Sequence, residues 1–356
     1  METITATATA VPPHVMTRDA TKQAMQEVFR LEPRRMAAVM ALFDNARVER
    51  RYSVVPIEHL VRPRSLTETI REYQEHAVAL SRKVARDCLE RAGLRPADVD
   101  FLITVSCTGY MIPSIDAYLI GDLGFRANVR RLPITELGCV AGAMALSRAR
   151  ELVRGLPGSN ALVITVELPT LTFQRRDESQ ANLVSCALFG DGAAAALVTS
   201  RDMPGAQIVD TEGHLFPDTL EAMGFDLRDN GFHMVLSKDV PDLLRGEIGE
   251  IIGEFLARHS LSLDQLEAFL LHPGGKKILC NLEDELGIDR DKTGPSWDIL
   301  RDYGNLSSAT VLFVLHEWLA RRLAGAYGLM AGFGPGLTAE LLLLRFVADE
   351  GLRIRD

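Results

Sequence analysis

The chain carries one pattern twice. Val99-Asp-Phe-Leu-Ile has a counterpart in Leu266-Glu-Ala-Phe-Leu, an offset of 167 residues. Gly138-Cys-Val-Ala-Gly-Ala143 pairs with Gly304-Asn-Leu-Ser-Ser-Ala309 at 166, and Ala161-Leu-Val-Ile with Gly328-Leu-Met-Ala at 167. Each match is short, but a shared offset in a shared order of strand, turn and helix marks a duplicated unit. We read two α/β units, residues 14–200 and 201–356. Stacked about a pseudo-twofold axis, they would bring the equivalent helix starts at Cys139 and Asn305 together at the centre.

Local patterns support the units. Apolar residues three and four apart (Met25, Val28, Phe29, Met36, Val39, Met40, Phe43) predict a helix from Thr21 to Val48. Ser65 and Glu68 form a capping box for a helix that Gly93 stops. Val99 to Val105 and Ala161 to Val166 read as buried strands, being apolar and β-branched without alternation. Such alternation of strands and helices indicates a layered α/β sheet. Met1 to Pro13, rich in Thr, Ala and Pro, reads as a flexible or edge extension.

Composition sets bounds on partners. The net charge of -9 argues against nucleic acid, whose phosphates need a basic surface. The five cysteines (88, 107, 139, 186 and 280) form no CxxC pair and no metal-like spacing, which fits free thiols in a reducing cytoplasm. No signal segment is evident, and the apolar run Val311 to Leu319 is broken by His316 and Glu317. The expectation is a soluble cytoplasmic protein with no membrane partner.

Three residues carry the chemistry. Cys139 stands between a glycine turn and a small-residue helix, where unpaired N–H groups and the helix dipole are expected to lower its pKa. His272, in Leu-Leu-His-Pro-Gly-Gly, follows the second-unit strand, and side chains beyond the C-terminal strand edge commonly build sites. Asn305 opens the second-unit helix. Each alone suits a buried thiol, a turn residue or a helix cap. Together they suit a nucleophile, an imidazole and an amide donor.

Gly138-Cys139-Val-Ala-Gly, His272-Pro-Gly-Gly, Tyr303-Gly-Asn305-Leu-Ser-Ser-Ala, Gly332-Phe-Gly-Pro-Gly336 and Ala187-Leu-Phe-Gly-Asp-Gly-Ala193 resemble the motifs of type III polyketide synthases. These are the chalcone and stilbene synthase-like members of the thiolase superfamily, and the resemblance runs from about residue 20 onward. It implies a five-layer αβαβα thiolase-like fold and an acyltransferase. Cys139 would hold a starter acyl group as a thioester and form an ion pair with His272. His272 and Asn305 would stabilise the enolate formed when malonyl-CoA loses carbon dioxide. Acyl-CoA and malonyl-CoA are then substrates, and no cofactor is implied.

The resemblance also suggests cavity residues: Phe189 and Met234 as gate positions, and Cys107, Thr172, Phe225 and Ser307 as lining. Ile112 matches a residue that reaches into a partner subunit, which implies a homodimer. Ordinary core packing is the other reading of these positions. The basic residues of plant members are replaced by Ala38, Ala41 and Asn45, so CoA phosphates would meet Arg34, Arg35 or Arg47, or an acyl carrier protein would present the donor. The Cys107-Thr-Gly-Tyr context is similar to bacterial members that use fatty acyl starters and make alkylpyrones or alkylresorcinols. The alternatives are a single-extension enzyme like β-ketoacyl carrier-protein synthase III and a non-catalytic subunit that binds acyl-CoA or a carrier protein.

Overall fold

The computed structural model describes residues 1–321 and 323–347. In chain order the strands are β1 (Thr3–Ala10), β2 (His14–Thr17), β3 (Arg50–Ser53), β4 (Phe101–Val105), β5 (Arg130–Ile134), β6 (Asn160–Glu167) and β7 (Gly192–Thr199). They continue as β8 (Gly205–Leu215), β9 (Met223–Arg228), β10 (Gly231–Leu236), β11 (Leu266–Leu271), β12 (Tyr327–Gly334) and β13 (Thr338–Val347). Nine of them form one mixed sheet in the order β11-β12-β13-β8-β1-β7-β6-β4-β5.

Every residue of β4 and β6 is buried, because helices cover both faces of this half of the sheet. One face of the β4, β6 and β7 region and one face of β11 to β13 share a core with helices Ala141–Gly155 and Thr310–Ala320. The opposite face of the first region packs on Ala77, Val84, Ala85 and Leu89 of helix Leu66–Ala92. That of the second packs on Ile248, Ile252 and Phe255 of one helix and Leu279 and Leu282 of another. Helix, sheet, paired central helices, sheet and helix make five layers, the α/β arrangement that the resemblance implies.

Two local expectations change. Residues 3–10 are neither flexible nor at an edge: β1 lies mid-sheet, antiparallel to β7 on one side and to β8 on the other. Ala6, Ala8 and Ala10 are buried against the long helix, and small side chains there let helix and sheet approach closely. A segment whose one large apolar residue is Ile4 looks like a linker until its neighbours are known. The helix expected from Thr21 to Val48 is two helices, Arg18–Val28 and Pro33–Asn45. Pro33 cannot donate a backbone hydrogen bond and clashes with the preceding turn, so it begins a helix rather than continuing one. The capping box of Ser65 with Glu68 is present, and Gly93 closes that helix at φ 65°.

Candidate active site

Cys139 sits in a single tight turn, Gly138–Val140, that feeds helix Ala141–Gly155. Gly138 has φ 56° and faces Pro335 at contact distance, so a Cβ there would collide with the proline ring. A Cβ on Gly334 would stand 2.6 Å from the Val140 nitrogen. The Gly-Phe-Gly-Pro-Gly segment therefore lies directly on the cysteine turn. Asn305 precedes a matching turn, Ser307–Ala309, and helix Thr310–Ala320. The two turns touch, because Gly142 packs on the Ser308 carbonyl with no room for a side chain. His272 follows the last residue of β11, its N–H donating to the Ala331 carbonyl at 2.9 Å.

The three groups differ in how they are held. Asn305 Oδ1 accepts from the Ser307 N–H at 2.8 Å and from Thr310 Oγ1 at 3.3 Å, while its Nδ2 donates to the Gly274 carbonyl at 3.3 Å. The carboxamide orientation is thus set by its neighbours. Cys139 Sγ meets Ser307 Oγ at 3.4 Å, and the same hydroxyl lies 3.4 Å from Cys107 Sγ. His272 is 2% exposed and its Nδ1 has no protein partner among the described residues.

Burial dominates the titration of the pair. It raises the Cys139 thiol to about 12, with the nearby Glu167 acting in the same direction and hydrogen bonds from Ser307 and Asn305 opposing it. It lowers His272 to about 4. The shift of Cys139 thus runs opposite to the lowering expected from the helix start. The cysteine lies in a three-residue turn before the helix, and loss of water outweighs the backbone field. The same burial disfavours the charged form of His272, so both shifts run against the implied ion pair.

Cys139, His272, Asn305, Phe189, Met234, Cys107, Phe225 and Ser307 all line one pocket of about 680 Å³, its mouth included. Met223, Leu236, Ile278 and Phe333 complete a largely apolar wall. Thr172 is buried outside this pocket, its hydroxyl donating to the Pro169 carbonyl at 2.8 Å. The short helical turn Pro169–Thr172 directs it away. Ile112 is 78% exposed and does not reach the pocket of its own chain. Arg34, Arg35 and Arg47, with Ala38, Ala41 and Asn45, lie exposed on or just after helix Pro33–Asn45, and Arg35 pairs with Glu178.

Sequence reasoning missed Glu167. This fully buried carboxylate accepts from the Cys107 N–H at 3.1 Å, from Thr108 Oγ1 at 2.7 Å and from Ser308 Oγ, tying both halves together beneath the pocket. Burial raises its pKa, and those donors oppose the rise. A lone carboxylate ending a mainly apolar strand was the available signal. Pro335 and Phe333 were visible in their motif but not as pocket walls.

Comparison with known proteins bears directly on this arrangement. The family model described as chalcone and stilbene synthases, N-terminal domain, matches residues 1–202, and the corresponding C-terminal model matches residues 207–348. A 1,3,6,8-tetrahydroxynaphthalene synthase of Streptomyces peucetius is 37% identical, covering 96% of this chain and 93% of its own length. A phloroglucinol synthase of Pseudomonas fluorescens is 33% identical, over 95% and 97%. An alpha-pyrone synthesis polyketide synthase-like protein of Mycobacterium tuberculosis is 27% identical, over 96% and 90%. The crystal structure of the Streptomyces coelicolor tetrahydroxynaphthalene synthase, a bacterial type III polyketide synthase, superposes with a TM-score of 0.94 at 33% identity, covering 98% of this chain and all of that one.

Proposed function

The chain belongs to the chalcone and stilbene synthase family and is a type III polyketide synthase, an acyltransferase of decarboxylative condensation; from that premise we propose that it loads a fatty acyl starter on Cys139, extends it with malonyl-CoA and closes the product to an alkylpyrone or alkylresorcinol. The observation that carries the chemistry is the convergence of Cys139, His272 and Asn305 on one pocket. His272 takes the thiol proton as the thiolate attacks the starter thioester, and CoA leaves. Malonyl-CoA then loses carbon dioxide, and its electrons pass to the thioester oxygen, where His272 and Asn305 Nδ2 donate hydrogen bonds. The enolate carbon attacks the Cys139 thioester and expels the thiolate, lengthening the chain by two carbons. The sequence needs neither a metal nor a redox cofactor.

The apolar wall supports the starter. Met223 and Met234 are unbranched thioethers that reshape around a flexible chain, and Phe225, Leu236, Ile278 and Phe333 shield it from water. A second reading, assembly of a small phenol from malonyl units alone, is favoured by the higher identity to the tetrahydroxynaphthalene and phloroglucinol synthases. Mass spectrometry after incubation with malonyl-CoA and a panel of acyl-CoAs separates them. Alkylated rings that track the acyl length support the first reading, and one product independent of the acyl-CoA supports the second. A linear β-ketoacyl product would instead indicate a single-extension enzyme, and no product at all a non-catalytic subunit.

A homodimer completes the proposal. Tyr110, Ile112 and Tyr118 expose apolar side chains (56%, 78% and 44%) on one short stretch, which suits a subunit interface. The exposed Arg34 and Arg47 are candidates for CoA phosphates, with a carrier protein as the other donor; competition by free CoA distinguishes them.

A further inference from the structure

Arg51 is a buried cation that the reaction as described does not use. It is 4% exposed and makes no ion pair within 4.0 Å among the described residues. Burial lowers its pKa to about 10, with Asp191 opposing. The oxygens of Asp191 are engaged by Val54 N, Thr170 N and Thr170 Oγ1 at 2.6–3.0 Å. Arg51 instead donates from Nη1 to the Phe189 carbonyl at 2.8 Å and from Nη2 to Thr21 Oγ1 at 3.1 Å.

The segment it grips also holds Asn305. The Asn305 N–H donates to the Leu188 carbonyl at 2.8 Å, and the Gly190 N–H donates to the Asn305 carbonyl at 3.1 Å, so Phe189 and Asn305 are paired like strand residues. Sterics point the same way. A Cβ on Gly190 would lie 3.1 Å from Arg51 Cβ, and one on Gly304 would lie 3.0 Å from Arg51 Cγ. The arginine stem thus fills the space between the two segments that carry the gate phenylalanine and the amide donor.

We propose that Arg51 is a positioning residue, whose fork and stem fix the Leu188–Gly190 segment and thereby set the place of the Asn305 carboxamide in the pocket. The inference rests on the role of Asn305 proposed above. Arg51 also borders a second cavity, lined with Met16, Met25 and Cys186 and separated from the active pocket by Phe189, which leaves space for a small cation once the side chain is removed.

The test is steady-state malonyl-CoA decarboxylation by full-length Arg51→Ala, Arg51→Lys and Thr21→Val. A displacement of about 1 Å at a donor costs on the order of 10²-fold in rate, so Arg51→Ala should lose about that in kcat with KM little changed. Guanidinium ion at sub-denaturing concentration should restore part of the rate, and methylammonium should not. Arg51→Lys should remain impaired, because an ammonium cannot reproduce the planar fork. Thr21→Val, which removes one anchor without touching charge, should show a smaller loss and keeps the test open if Arg51→Ala does not fold. Wild-type kcat in Arg51→Lys and Thr21→Val, or a loss in Arg51→Ala that guanidinium leaves unchanged, overturns the inference alone. An inert wild type overturns both it and the proposed function.

Discussion

The two central helix starts are copies of one device put to opposite uses. Both consist of a tight turn followed by a helix, Gly138–Val140 before Ala141 and Ser307–Ala309 before Thr310. In the first, Cys139 is held loosely, its side-chain partners being the Ser307 hydroxyl at 3.4 Å and the Asn305 amide. In the second, Asn305 is pinned by backbone and side-chain bonds on every side. A nucleophile has to change its charge and bond during the reaction, whereas a hydrogen-bond donor works best when already in place. The repeat supplies symmetry of position, and the side-chain networks supply the difference in freedom.

Experiments can break this contrast in order of expected size. Cys139→Ala should abolish starter loading and cut polyketide formation by roughly 10⁴-fold or more, while leaving malonyl-CoA decarboxylation, because the donors stay. Equal loss of both activities, measured by product mass and by carbon dioxide release, would merge the two roles. Asn305→Ala should lower kcat for decarboxylation by about 10²–10³-fold and, because it removes one hydrogen bond that opposes the rise in the Cys139 pKa, slow iodoacetamide labelling of Cys139 by far less. Equal losses in the two would mean that the donor side also governs the thiol.

The titration states sharpen the same point. His272 has a folded pKa of about 4 against 6.5 unfolded, so between those values the unfolded chain binds more protons. Stability from this group is therefore fully present above pH 6.5 and falls as the pH drops toward 4, by about 3 kcal/mol at most. Urea unfolding of wild type and His272→Gln across that window should show a stability difference between them that shifts against the wild type as the pH drops from 6.5 toward 4. Asp191, raised to about 7, acts in the opposite sense in both proteins and cancels in the difference. Alkylation of Cys139 should still be accelerating at pH 9, and a plateau near neutrality would reveal a preformed thiolate.

Two smaller effects concern the contact between the starts and the gate. Gly142→Ala should destabilise the fold by about 1–3 kcal/mol in thermal or denaturant unfolding, because its Cβ enters the Ser308 carbonyl. Met234→Phe should shift acyl-CoA preference toward shorter starters by a few-fold, on the order of 1 kcal/mol. An unchanged starter profile would remove Met234 from the gate.

Some of the design was readable in residue order because it depends on local rules. Ser65 and Glu68 cap their helix wherever the chain goes, and the apolar run of β6 demands burial whatever covers it. Other features depend on neighbours distant in sequence. Residues 3–10 became a central strand only through β7 and β8, Thr172 was turned from the pocket by the bend after Pro169, and Glu167 gained its place from Thr108 and Ser308.

Residue order by itself determined the duplicated α/β plan and the kinds of side chain available at its centre, because periodicity, turn glycines and a repeated offset are properties of the chain. Only the tertiary structure decided the direction in which burial shifts Cys139 and His272 and the fixed aim of Asn305. Those depend on how much water is excluded and on which atoms from remote segments come within hydrogen-bond reach, and neither quantity is carried by any single stretch of sequence.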